Sequence, residues 1–184
     1  MTNNLKGLPG SIPTESIQWD SSWPELEEES ERGRIFSYME ERFGIPEKVF
    51  GNYLLFKRKG SWQLMNKGVL NAVSASQLKV SKVGLRAFQK IGKFVKPTTR
   101  LIQVFGTAAT KARIEIDDEQ LARLVAGEEL SMDMDLDTGY VVLVQSNKRI
   151  LGLGFLVNGK IRSQIPKKEL RQAMLVYPWH LTSL

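Results

Sequence analysis

The sequence predicts an α+β protein in two parts, a small N-terminal α/β domain followed by a C-terminal β-pseudobarrel. Three observations predict it. The segment from Gly139 to Arg162 holds strand-length apolar runs cut by Ser146 to Arg149 and by Asn158-Gly159. The second cut is a two-residue hairpin signal, because both central residues of a type I′ turn need positive φ. Upstream, apolar residues recur at three-and-four spacing, the mark of one helix face. The charge balance also shifts four times along the 184 residues, from acidic to near neutral, basic, acidic and basic again, which favours two small domains over one large one.

Taken in order, residues 1–30 are an acidic arm with one Lys against six acids and too little apolar periodicity to fold alone. Trp19 and Trp23 could dock this arm on a neighbouring surface. From Glu31 to Phe43 the residues Ile35, Phe36, Met39 and Phe43 predict a helix ended by Gly44 and Pro46. Tyr53 to Arg58 and Ser61 to Met65, around Lys59-Gly60, predict a hairpin, and Val83 to Ile91 predicts another strand. Residues 66–82 fit no single period. After Pro97, the positions of Leu101, Val104, Phe105, Ala108 and Ala109 predict a helix that Gly106 weakens by about 1 kcal/mol unless it allows close packing. Arg113 to Ile116 is strand-like. Asp117 with Gln120 then makes a capping-box start for a helix carrying Leu121, Leu124 and Val125 and stopping at Gly127. The meander follows, so the parts are 1–30 (arm), 31–97 (basic α/β domain) and 98–184 (barrel domain).

Charge narrows the function. Residues 48–114 carry fourteen Lys and Arg and no Asp or Glu, followed by nine acids against Arg123 between Glu115 and Asp137. A stretch without carboxylates cannot neutralise itself locally, so its field meets either the acidic bands of the chain or an external anion. Cations interleaved with Trp62 and Phe88, and others at the turns and end of the meander, point to nucleic acid. The expected binding residues are Lys93, Lys96, Arg100, Lys148, Arg149, Lys160, Arg162, Lys167, Lys168 and Arg171. If about six of these met phosphates, log K would fall with log salt at roughly −4 to −5. No basic amphipathic helix suggests a membrane surface. The chain has no cysteine, which excludes disulfides and thiolate chemistry, and the expected compartment is the cytoplasm.

Catalytic motifs fail on inspection. Gly154 to Lys160 matches a phosphate-binding loop only until Ile161, where Ser or Thr should reach Mg²⁺, and stiff strand formers precede the turn. Gly152 and Gly154 lack the third glycine of a dinucleotide fingerprint and read instead as a close backbone approach or bulge. Asp133, Asp135 and Asp137 alternate like a calcium loop, but Thr138 stands in the glycine position and Val144 in that of the last carboxylate. His180 is the only histidine, with no Ser or Asp partner indicated. The expectation is therefore no enzyme, no metal and no cofactor.

A strand, a capped helix ending at Gly127, and then the run Gly139 to Arg171 with Ile150-Leu151-Gly152-Leu153-Gly154 and Ile165-Pro166-Lys167-Lys168 resemble the PUA domain. The similarity is closest to the C-terminal PUA extension of Sun-type RNA 5-methylcytosine methyltransferases. Arg42 to Pro46 and Lys96 to Thr99 resemble the segments before that extension, and the layout resembles two-domain ribosome-biogenesis proteins with a pre-PUA domain. Departures are Phe155, where the family carries Lys, and Ser163, Gln164 and Ile165, where it carries Asn and aromatic residues. The methyltransferases work through cysteines that this chain lacks. The resemblance implies a PUA-like pseudobarrel that binds ribosomal or transfer RNA without catalysis and assists ribosome biogenesis or RNA modification. Partners would be that RNA, a ribosomal precursor particle or an RNA-modifying enzyme; the alternative is an adaptor that positions such an enzyme.

Overall fold

A computed structural model describes residues 24–69 and 83–175. Trp19, Trp23, His180 and most of the ambiguous segment 66–82 lie outside them. Two five-stranded sheets and their helices make the α+β architecture that the sequence predicts. The first sheet has the order β1-β2-β3-β4-β5, with β1 at Glu25–Leu26, β2 at Tyr53–Arg58, β3 at Ser61–Asn66, β4 at Leu85–Ile91 and β5 at Phe94–Pro97. Helix α1, Glu29–Phe43, buries Ile35, Phe36, Met39 and Phe43 and stops at a left-handed Gly44. This is the predicted face and the predicted stop.

The end of the acidic arm is more ordered than its composition suggests. Glu25 and Leu26 pair with Lys57 and Phe56 across β2, and the Trp62 indole N–H donates to the Glu27 carboxylate, with Lys57 Nζ 3.7 Å away. Strand β5 was not predicted, since the expected elements pass from the strand ending at Ile91 to the helix after Pro97. Pro97 closes this strand, and Thr98 caps helix α2, Thr99–Phe105, by accepting from the Leu101 N–H at 3.1 Å. The predicted helix is cut short: residues Gly106–Ala108 form a 3-10 turn, Ile102 is buried, and Val104 faces outward at 50% exposure. Gly106 supplies the close packing, since a Cβ there would lie 3.1 Å from Ile150 Cγ2.

The second sheet has the order β6-β8-β9-β10-β7, where β6 is Arg113–Ile116, β7 Leu130–Ser131, β8 Gly139–Gln145, β9 Ile150–Val157 and β10 Lys160–Ser163. Between β6 and β7, helix α3, Asp118–Ala126, opens with the predicted capping box and ends at left-handed Gly127. Helix α4, Lys167–Leu175, packs on α3. The meander is as read, with Asn158 and Gly159 both at positive φ and Lys160 opposite Val157. Less local is the parallel pairing of β6 with β8, for which α3 and β7 lie in the connection.

One buried cluster runs from α1 and the first sheet through α2 into the second sheet. Phe105 stands at the joint, its ring centroid 5.1 Å from Phe50 and 5.3 Å from Tyr53. Backbone bonds close the same seam, since the N–H groups of Thr110 and Lys111 both donate to the Phe43 carbonyl at 3.0 Å. A smaller cluster of Leu54, Phe56, Met65 and Val83 buries the other face of the first sheet. No helix among the described residues is long and apolar enough to cross a membrane.

Candidate nucleic-acid interface

Register decides which side chains meet. Because the Asn158-Gly159 turn pairs Lys160 with Val157, Arg162 falls opposite Phe155, and β8 places Tyr140 opposite Phe155 on its other side. Directly opposed residues share a sheet face. Tyr140, Phe155 and Arg162 therefore form a row across three strands, with the two rings 5.1 Å apart edge to face. Lys160 lies on the same face of β10, two residues from Arg162 and exposed like it, while Ile161 between them is fully buried.

The first sheet extends this row. Lys96 on β5 donates to Gln164 Oε1 at 2.6 Å and holds its ammonium 5.5 Å from the Tyr140 ring centroid. Burial lowers its pKa from the ordinary lysine value and raises that of Tyr140. Gln164 is fixed by its own N–H to Leu153 O, and Thr99 donates to the Gln164 carbonyl at 3.2 Å. Close approach of α2 to β9 makes this possible, because Gly152 offers no side chain where Thr99 and Ile165 pass. Arg42, in the last turn of α1, donates to the carbonyls of Tyr140 at 2.7 Å and Asp137 at 3.0 Å. The strand end bearing Tyr140 is thus tied to the first half of the chain.

The result is a half-buried pair of aromatic rings flanked by Lys96 on one side and Arg162 with Lys160 on the other. Such an arrangement offers π-faces or edges to bases and cations to phosphates. Arg162 is not idle, for its guanidinium pairs with the Glu129 carboxylate. This pair is exposed, so it contributes at most about 1 kcal/mol to stability, and an arriving phosphate can compete for it.

The expected cations do not form one patch. Lys93 sits at the β4–β5 turn with Nζ 5.5 Å from the Phe94 ring, and Arg100 is exposed in the first turn of α2. Lys148 and Arg149 occupy the β8–β9 turn, at the opposite end of β9 from Lys160. The eight residues of that strand separate them by roughly 25 Å at about 3.3 Å per residue. A meander must divide its two turns in this way. Lys148 is exposed with φ 66°, whereas Arg149 is half-buried. Lys167 lies over the C-terminus of α3, its Nζ 3.7 Å from where a Cβ on Gly127 would be, a place where the carbonyl ends of a helix favour a cation. Lys168 and Arg171 are exposed on α4.

Sequence reasoning missed Tyr140 and Gln164 as parts of this face and read Phe155 only as a lost lysine. The Phe155–Arg162 pairing was available, since a two-residue turn fixes the register of both strands it joins. The Lys96–Tyr140 contact was not, because it depends on how the two sheets pack.

Residues 111–172 match the family model of the methyltransferase RsmF PUA domain. Among solved structures, a conserved PUA domain protein from Thermoplasma acidophilum is similar with a TM-score of 0.46 and 13% identity, over 83% of this chain and 87% of that one. No curated protein matches the sequence. The C-terminal part is thus a PUA-like domain resembling the methyltransferase extension, and the matched segment contains Tyr140, Phe155, Lys160 and Arg162.

Proposed function

We propose that this protein binds structured RNA, ribosomal or transfer RNA, without catalysing a reaction on it, and that it assists ribosome biogenesis or RNA modification in the cytoplasm. A PUA-like domain implies RNA binding in general. The observation that carries the reading is the row of Lys96, Tyr140, Phe155 and Arg162 with Lys160 beside it, in which cations and partly open rings share one face. Binding without catalysis is supported by the missing cysteines, since the related methyltransferases act through thiolates.

The test is an affinity series on a structured RNA across salt. With Lys93, Lys96, Lys160 and Arg162 as about four phosphate contacts, the slope of log K against log salt is expected near −3, shallower than the sequence alone suggested. Replacing Lys160 and Arg162 together by Glu should cost at least tenfold in affinity and leave the thermal transition in place, because both side chains are exposed. Glu129→Ala should move affinity the other way, by roughly two- to fivefold, if phosphate and carboxylate compete for Arg162. Unchanged binding in the double variant would reject the face.

A further inference from the structure

Phe94 is the most exposed of the large apolar side chains among the described residues, 66% open at the tip of the β4–β5 hairpin. Its cross-strand partner Ile91 is 46% open, and the turn between them is Gly92-Lys93. An exposed aromatic ring on a short hairpin leaves apolar surface in water that burial against a ligand would remove. Along the chain its neighbours are cationic or neutral: Lys93 holds its ammonium over the Phe94 ring, Lys90 precedes Ile91, and there is no carboxylate from residue 48 to residue 114, although Glu31 of α1 lies within electrostatic reach of Lys90.

Position adds the decisive point. Phe94 and Lys96 alternate on β5 and so project from one face of the strand, while Val95 and Pro97 turn toward the core. Lys96 is the residue that reaches Tyr140. The tip therefore continues the row of the second sheet, giving the order Phe94, Lys96, Tyr140, Phe155, Arg162 across both sheets.

We infer that the β4–β5 tip is a stacking site for an unpaired nucleobase, with Phe94 under the base and Lys93 and Lys96 on the flanking phosphates. This rests on the RNA-binding reading above and extends it to a single-stranded segment leaving the structured RNA. Stacking on an aromatic side chain is tolerant of base identity, so the site would add affinity without choosing a sequence.

The experiment uses the full chain and two synthetic RNAs, a stem-loop and the same stem-loop with a short uridine extension carrying one fluorescent purine analogue. The extension should tighten binding by about fivefold or more and quench the analogue, and Phe94→Ala should abolish both gains while Phe94→Trp keeps them. Lys93→Gln should reduce the gain and flatten its salt dependence. Equal affinity for the two RNAs, or a Phe94→Ala variant that binds the extended RNA like the parent, would overturn the stacking site. A loss of self-association or of protein partners in Phe94→Ala, with no change toward RNA, would also overturn it in favour of a protein contact. Failure of the broader reading looks different: there the bare stem-loop would ignore the exchange of Lys160 and Arg162 for Glu.

Discussion

Tyr38 shows how far a single residue reports on the joint between the two halves. It stands on α1, edge to face with Phe43 at 6.0 Å. Burial pushes its phenol up from 10.0 to about 12, the nearby Arg42 charge opposes that rise, and Tyr140 adds to it. A group whose folded pKa exceeds its unfolded value contributes stability that is complete below the unfolded pKa and is lost as pH rises through the folded one. Stability against denaturant should therefore decline between pH 10 and about 12 as this phenol ionises in the unfolded chain first. Tyr140, raised by burial, works in the same direction, and Lys96, lowered by burial, works against both. Tyr38→Phe should remove part of the alkaline decline in a series of denaturation midpoints, leaving the share of Tyr140. A variant that keeps the full decline would show that the Tyr38 hydroxyl is as well solvated folded as unfolded.

At the scale of elements, the contact of α2 with β9 sets the geometry of the candidate face, and Gly152 permits it. Its φ of 146° is unfavourable for any side chain, and a Cβ there would come within 2.6 Å of Thr99 Cγ2 and 3.0 Å of Ile165 Cγ1. Gly152→Ala should cost about 2–4 kcal/mol, combining backbone strain with overpacking, a melting decrease on the order of 5–15 °C. It should also weaken RNA binding in the surviving folded protein, because a displaced Thr99 releases the Gln164 carbonyl and with it the acceptor of Lys96. Calorimetry with an affinity measurement at a temperature where the variant is folded separates the two effects. The sequence already marked Gly152 as a place of close approach, but not what approaches. Elements specified by neighbouring residues were legible in this way: α1 by its apolar spacing, α3 by Asp117 and Gln120, the last hairpin by Asn158-Gly159. Strands β1 and β7, each of two residues, are too short to show a period, and β5 carries its pairing in the register to β4. The cations at the two ends of the meander could be told apart from the strand length, whereas the union of Lys96 with Tyr140 required the packing of one sheet against the other.

For the whole molecule, the question is whether the two sheets stand or fall together. The change of charge along the chain suggested separate domains, and the first sheet does end at Pro97, just before the Thr98 cap of α2. Yet α2 contacts both β4 and β9, and the ring of Phe105 lies against Phe50 and Tyr53 from the first half. Phe50 is fully buried and also stacks on Phe36 at 4.6 Å, so it couples α1 to α2. Cutting the chain between the sheets would expose these rings and strand Arg42, which holds the carbonyls of Asp137 and Tyr140. The two halves should consequently unfold in one cooperative step, with β3 and β9 amides exchanging hydrogen through the same global opening. Phe50→Ala gives the discriminating case, since deleting a buried aromatic ring costs about 3–5 kcal/mol. In a single cooperative unit, the slowest amides of β9 should lose that same protection although Phe50 belongs to the first half. Independent units would leave β9 unchanged while β3 becomes labile. Native-state hydrogen exchange resolved by strand measures this directly, and the answer bears on binding, because the row from Phe94 to Arg162 keeps its spacing only while both sheets are held as one body.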